Sequence, residues 1–126
     1  MKGIPHQLRQ LFHNLLSNAL KYRQQNSRTV ITIESCQVTE KALGNQPHKT
    51  SGRYHCLLVK DNGIGFNQDY ADRIFRPFQR LHTNEGYAGT GIGLAICKKV
   101  VDNHLGFIQV QSAVNEGTTF TIYFPA

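Results

Sequence analysis

Leu8, Leu11, Phe12, Leu15, Leu16, Ala19 and Leu20 recur at helical spacing in one short stretch, and the stripe they form has to be covered by another element. Pro5 suits the first turn of that helix. From Thr29 to Val38 the pattern turns β-branched and alternating, which predicts a strand. Tyr54 to Lys60 predicts a second strand, antiparallel to the first because the connection is short. Residues 39–53 between them are polar and carry Gly44, Pro47 and Gly52, the composition of a mobile, exposed hairpin loop. A short helix is predicted at about Asp69 to Phe75, stopped by Pro77, and residues 79–90 read as a flexible loop. A helix from Gly91 to about Asn103 places Leu94, Ala95, Ile96, Val100 and Val101 on its buried side. Phe107 to Gln111 and Thr118 to Phe124 alternate around the turn Asn115-Glu-Gly117. This order predicts an α+β fold: a two-layer α/β sandwich in which helices cover one face of an antiparallel or mixed sheet.

The remaining bounds are mostly exclusions. A chain of 126 residues, 40% hydrophobic and 17% charged, fits one soluble domain over 1–126. No apolar run approaches the roughly 18–20 residues that cross a bilayer, and Met1-Lys-Gly-Ile-Pro5 lacks a signal-peptide core. No direct membrane insertion and a cytoplasmic location are therefore expected. Cys36, Cys56 and Cys97 are odd in number and widely spaced, against a disulfide framework or zinc site. The net charge of +6 is scattered, without a basic block or a nucleic-acid-binding signature, so no nucleic-acid partner is expected. His6, His13, His48, His55, His82 and His104 show no metal-ligand spacing, and neither Gly-x-Ser-x-Gly nor a His-Arg-Asp loop occurs.

Four motifs carry the chemistry. Asn14-Leu-Leu-Ser-Asn18-Ala-Leu-Lys21-Tyr22 sets two amides, a cation and a phenol along one flank of the first helix. An amide oxygen is a hard neutral ligand, suited to Mg²⁺ that keeps its waters and shares phosphate oxygens. Asp61-Asn-Gly63-Ile-Gly65 ends a strand, placing an acceptor for an exocyclic amine beside glycines that let a flat ring approach the backbone. Phe75-Arg-Pro-Phe78 follows. Gly89-Thr-Gly91-Ile-Gly93-Leu94 opens a helix, where backbone N–H groups and the helix dipole favour an anion. Its spacing is neither a dinucleotide-binding fingerprint nor a Walker loop. Each motif alone also reads as an ordinary solvent-facing helix flank, turn or hinge; in this order they describe an ATP site.

These residues resemble the catalytic and ATP-binding domain of bacterial sensor histidine kinases, in the GHKL superfamily with its Bergerat fold. Asn14 to Tyr22 is similar to the N box, Asp61 to Gly65 to the G1 box, Phe75 to Phe78 to the F box, and Gly89 to Leu94 to the G2 box. The resemblance implies that ATP and Mg²⁺ bind, with Asn18 on the metal and Asn14 beside the phosphates. It implies that Lys21 and Tyr22 contact phosphates or ribose. Asp61, with Gly63 and Gly65, takes the adenine, supported by Thr118 through water. Gly89, Thr90, Gly91, Ile92, Gly93 and Leu94 form a phosphate-covering lid, and Arg80 approaches the γ-phosphate. Asn14 and Arg80 are the implied catalytic residues. In the ATPases of the superfamily a glutamate that activates water matches Asn14; an amide cannot act as a general base. The implied partner is a dimerisation domain bearing the phospho-accepting histidine, with a response regulator reached indirectly and a parent protein that can be membrane-attached. That domain is absent here, so an excised fragment lacking the upstream helices, with an open sheet edge, is expected. The family's Gly-Gly turn is Leu105-Gly106, where Gly106 is expected to make the turn. A degenerate nucleotide-holding scaffold and a GHKL ATPase or serine-kinase relative are the alternatives.

Overall fold

The computed structural model of the protein describes residues 3–39, 53–76 and 93–125. Helix α1 spans Pro5–Lys21, strand β1 Ile31–Thr39 and strand β2 Arg53–Asp61. A 3₁₀ turn follows at Gln68–Tyr70, then helix α2 (Gly93–Asn103) and strands β3 (Phe107–Ala113) and β4 (Gly117–Pro125). Among the described residues no helix is long and apolar enough to cross a membrane.

The strands lie in the order β1-β2-β4-β3, and all three pairings are antiparallel. Among the described residues the sheet is the antiparallel one of the two expected, not the mixed one. β2 and β3 do run in the same direction, but β4 lies between them and bonds to both, so no parallel ladder forms. The helices cover one face. α1 contributes Leu11, Leu15 and Ala19, spaced one turn apart, and α2 contributes Cys97, Val100 and Val101. They meet Val59 of β2, Val110 of β3, and Phe120, Ile122 and Phe124 of β4. Each fully buried aliphatic or aromatic side chain contributes about 1.5–3 kcal/mol. β1 is an edge strand and lies mostly beyond the helices. Ile33 sits opposite the core residue Val59, yet it is 49% exposed.

Two local expectations need correction. The helix predicted over 69–75 reduces to the 3₁₀ turn and the turns after it. Asn67 Oδ1 accepts from the Asp69 N–H at 2.9 Å, and Gln68 is tied to β3 at both ends of its amide, to Val110 O (2.9 Å) and Ser112 N (2.8 Å). Most of the bonds that follow close after three residues rather than four. So short a segment, fixed to a strand at its start, gains little from completing a helix nucleus.

The second concerns the end of α2, where Leu105 rather than Gly106 takes the left-handed conformation, at φ 60°. The N–H of Gly106 bonds Val101 O (3.0 Å) and that of Leu105 bonds Asp102 O (3.0 Å), the paired bonds of a Schellman cap. Gly106 is needed for close approach instead, since a Cβ there would lie 2.1 Å from Tyr123 O. Leu105 is 68% exposed, so its side chain gives back little for the left-handed backbone. Leu105→Gly is expected to stabilise the fold by about 1 kcal/mol in urea denaturation.

Candidate functional site

Asp61 ends β2 facing the helix layer, 9% exposed, in register with Thr118 of β4, which is in turn in register with Ser112 of β3. Its carboxylate accepts the Gly63 N–H (2.8 Å at Oδ1) and the Thr118 backbone N–H. Burial pushes the Asp61 carboxyl above its ordinary value, and these two donors only partly offset that. The ionised group therefore still gains from another donor, such as an exocyclic amine.

Ser112 organises the row. Its hydroxyl bonds Gly117 O at 2.9 Å, which uses its single proton. The Phe66 N–H and the Thr118 hydroxyl, each 2.9 Å away, therefore both donate to Ser112 Oγ. Thr118 Oγ1 keeps its lone pairs beside Asp61. An open cavity of about 520 Å³ adjoins this row, lined by Asp61, Gln68, Ser112, Gly117 and Thr118 among others.

The turn after Asp61 is closed by the end of α1. The Ile64 N–H bonds Tyr22 O (2.8 Å), and Ile64 O accepts the Asn115 N–H (2.7 Å). Gly63 packs so tightly there that a Cβ would lie 2.5 Å from Tyr22 O. Gln24 Nε2 reaches the carbonyls of Asn62 (3.2 Å), Gly63 (3.0 Å) and Asn115 (3.0 Å). Asn62 faces the other way, holding Val30 N (2.8 Å) and Arg28 O (2.7 Å).

Farther back on α1, Asn14 Nδ2 donates to Gly93 O (3.3 Å), joining the helix to the start of α2. Asn18, one turn on, is half-buried, and its side-chain amide has no hydrogen-bond partner among the described residues. A half-buried amide oxygen on a helix flank suits a hard cation that takes one or two protein oxygens. The described residues contain no cluster of three or more His, Cys, Asp or Glu able to cage a metal. Mg²⁺ with most of its shell from water and phosphate fits this donor set better than a caged metal does. Lys21 is exposed in the last turn, and Tyr22 is the half-buried C-cap.

The predicted residues thus meet at three junctions: Tyr22 with Gly63 and Ile64, Asp61 with Gly63 and Thr118, and Asn14 with Gly93. Gly65, in the same turn, packs against Ala113 and Gly117. From the third motif, Phe75 packs edge-on against Phe120, ring centres 6.2 Å apart. Leu94 packs against the hydrophobic core. Pro77, Phe78, Arg80, Gly89, Thr90, Gly91 and Ile92 lie outside the described residues. Ser112, Gln24 and Gln68 were not anticipated. Ser112 becomes visible only through its register with Thr118, and the two glutamines only through what they bond.

Residues 3–126 match the family described as histidine kinase-, DNA gyrase B- and HSP90-like ATPases. The chain is 43% identical over 119 residues to cyanobacterial phytochrome A of Nostoc sp., covering 94% of this chain and 14% of that protein. It is 34% identical to the circadian input-output histidine kinase CikA of Synechococcus elongatus, covering 96% of this chain and 14% of the relative. Among solved structures, the mycobacterial sensor histidine kinase MprB superposes with a TM-score of 0.69 at 26% identity, covering 98% of this chain and 72% of that one. The catalytic domain of histidine kinase ThkA gives 0.68 at 26% identity, over 98% of this chain and 68% of that one. The chain therefore spans about one seventh of the length of the phytochrome and CikA relatives.

Proposed function

Because the chain belongs to the family of histidine kinase-, DNA gyrase B- and HSP90-like ATPases, we propose that it binds Mg-ATP and supplies the γ-phosphoryl group to a histidine on a separate dimerisation domain. The reading rests chiefly on one observation: the asparagine helix closes directly on the buried Asp61 turn, through Ile64 N–H to Tyr22 O at 2.8 Å. In this reading that bond holds the adenine acceptor beside the phosphate-side helix.

In this mechanism Asp61 accepts the adenine amino group, with Thr118 beside it, and Gly63 and Gly65 let the turn that presents Asp61 close against Tyr22, Ala113 and Gly117. Asn18 would supply an oxygen to Mg²⁺, which when bound would neutralise phosphate charge. Lys21 and Tyr22 follow along the helix toward phosphates and ribose. Asn14 orients the start of α2 through Gly93 and, as an amide, takes no proton from water. Arg80 and residues 89–94 are assigned to the γ-phosphate by the family resemblance alone. Such a site holds ATP for transfer rather than hydrolysis, since phosphoryl transfer needs positioning and charge neutralisation above all. The 1–126 unit is the ATP-binding half of the kinase, working in the cytoplasm as part of a longer protein that signals to a response regulator.

The test is calorimetric titration with a non-hydrolysable ATP analogue, in Mg²⁺ and in EDTA. Saturable binding is expected, and Asn18→Ala should weaken it about tenfold in Mg²⁺ while changing little in EDTA. Addition of a histidine-bearing dimerisation domain with ATP should give acid-labile phosphate on that domain. Binding without transfer would instead support the scaffold reading.

A further inference from the structure

Cys36 of β1 and Cys56 of β2 stand directly opposite each other in the antiparallel ladder. Val59 points into the helix-covered core, so Cys56, three residues away, points from the opposite face of the sheet. Directly opposed antiparallel residues hold their Cα atoms about 4.5–5.5 Å apart, inside the roughly 4.4–6.8 Å that a disulfide requires. Across the ladder the Cys36 thiol and the Tyr123 hydroxyl both act on Cys56. Cys36 is exposed and Cys56 buried. Cys97 is separate from them, fully buried in the helix layer with its Sγ 3.9 Å from Leu11 O.

We propose that Cys36 and Cys56 are a reversible redox pair that exchanges with a low-molecular-weight disulfide to form a cross-strand bridge. The exposed Cys36 loses its proton and attacks one sulfur of the small disulfide. That S–S bond breaks, one small thiol leaves, and a mixed disulfide forms on Cys36. Cys56, deprotonated in turn, attacks the Cys36 sulfur and expels the second small thiol. One small disulfide is reduced to two thiols while the protein dithiol is oxidised to one disulfide. The order follows from the surroundings: burial and the neighbouring Cys36 push the Cys56 thiol up to about 11, which suits the second step rather than the first. A bridge with one exposed sulfur, on an edge strand, is the reducible sort that serves regulation rather than structure. It ties β1 to the strand that carries Asp61 and does not depend on the nucleotide reading.

The experiment equilibrates the reduced chain in a series of oxidised and reduced glutathione buffers, quenches with acid, alkylates, and reads intact and peptide masses. The expected product is lighter than the reduced chain by about 2 Da, with one intrachain Cys36–Cys56 link, and dithiothreitol reverses it. Cys36→Ser and Cys56→Ser should each abolish it. If Cys56→Ser fails to fold, the exposed Cys36→Ser still decides the matter. A glutathione adduct on Cys36 that never resolves, a link to Cys97, an interchain dimer or an unchanged dithiol would each overturn the proposal.

Discussion

Replacing Asp61 with asparagine is expected to weaken binding of an adenine nucleotide by about 10- to 100-fold, corresponding to the roughly 1.5–3 kcal/mol of a hydrogen bond to a charged group. The wild-type carboxylate accepts from the Gly63 and Thr118 N–H groups and still has acceptor capacity for a ligand amine. Asparagine offers one acceptor oxygen, and its NH₂ would face either a backbone donor or the ligand amine. The pH dependence gives a second reading. The native Asp61 carboxyl titrates above its ordinary value of 3.8 because it is buried. Its contribution to the stability of the nucleotide-free fold is therefore fully present below 3.8 and is lost as pH rises through the raised native value. Nucleotide binding, which uses the ionised form, should run the opposite way and weaken as pH falls through the same range. Asp61→Asn should lack both dependences. Calorimetric titrations and thermal melts across mildly acidic pH measure them, and unchanged affinity and an unchanged pH profile in the variant would remove Asp61 from the site.

How much of this was legible in the sequence varies with the range of the interactions involved. Helix α1 and the strand pairs were readable because their apolar periodicity is local, and Leu11, Leu15 and Ala19 are buried as the spacing required. The position of β4 between β2 and β3 was not readable, because it depends on which ladder closes between distant segments. The same limit applies within the site. Asp61 announced itself as an acidic residue at a strand end before glycines. Ser112 carried no local mark, yet it takes the Phe66 N–H and the Thr118 hydroxyl because β3 and β4 align it there. Gln24 follows the helix with nothing around it to suggest that three carbonyls lie within reach of its amide. Leu105 went against expectation, since glycine beside it favours the simpler turn. The Schellman bonds fix the left-handed position by counting from Val101, and the count falls on leucine.

The glycines of the two glycine-rich motifs should respond to alanine in opposite ways. Gly65→Ala is expected to destabilise the fold by roughly 3 kcal/mol or more in urea denaturation, a large part of the about 5–15 kcal/mol that holds a small domain together. Gly65 has φ 62°, and a Cβ there would lie 2.0 Å from Ala113 O and 3.0 Å from Gly117 O. The left-handed backbone costs alanine about 1–2 kcal/mol by itself. The contact adds more, because the opposing atoms are backbone and no rotamer relieves it. Ala113 and Gly117 are paired partners at the β3–β4 turn, so moving them also loosens the Ile64–Asn115 bond and the row that supports Asp61. Gly93 differs: a Cβ there meets nothing within 4 Å among the described residues, and it has no positive φ. Gly93→Ala should leave urea stability within about 0.5 kcal/mol of wild type. If the start of α2 serves a phosphate, the same variant should lower affinity for the ATP analogue, because the added methyl crowds the backbone N–H groups that would face the anion. Loss of stability at position 93, or its preservation at position 65, would contradict this division. The glycine at position 65 is required by the fold, whereas the one at position 93 meets no such demand from the described residues.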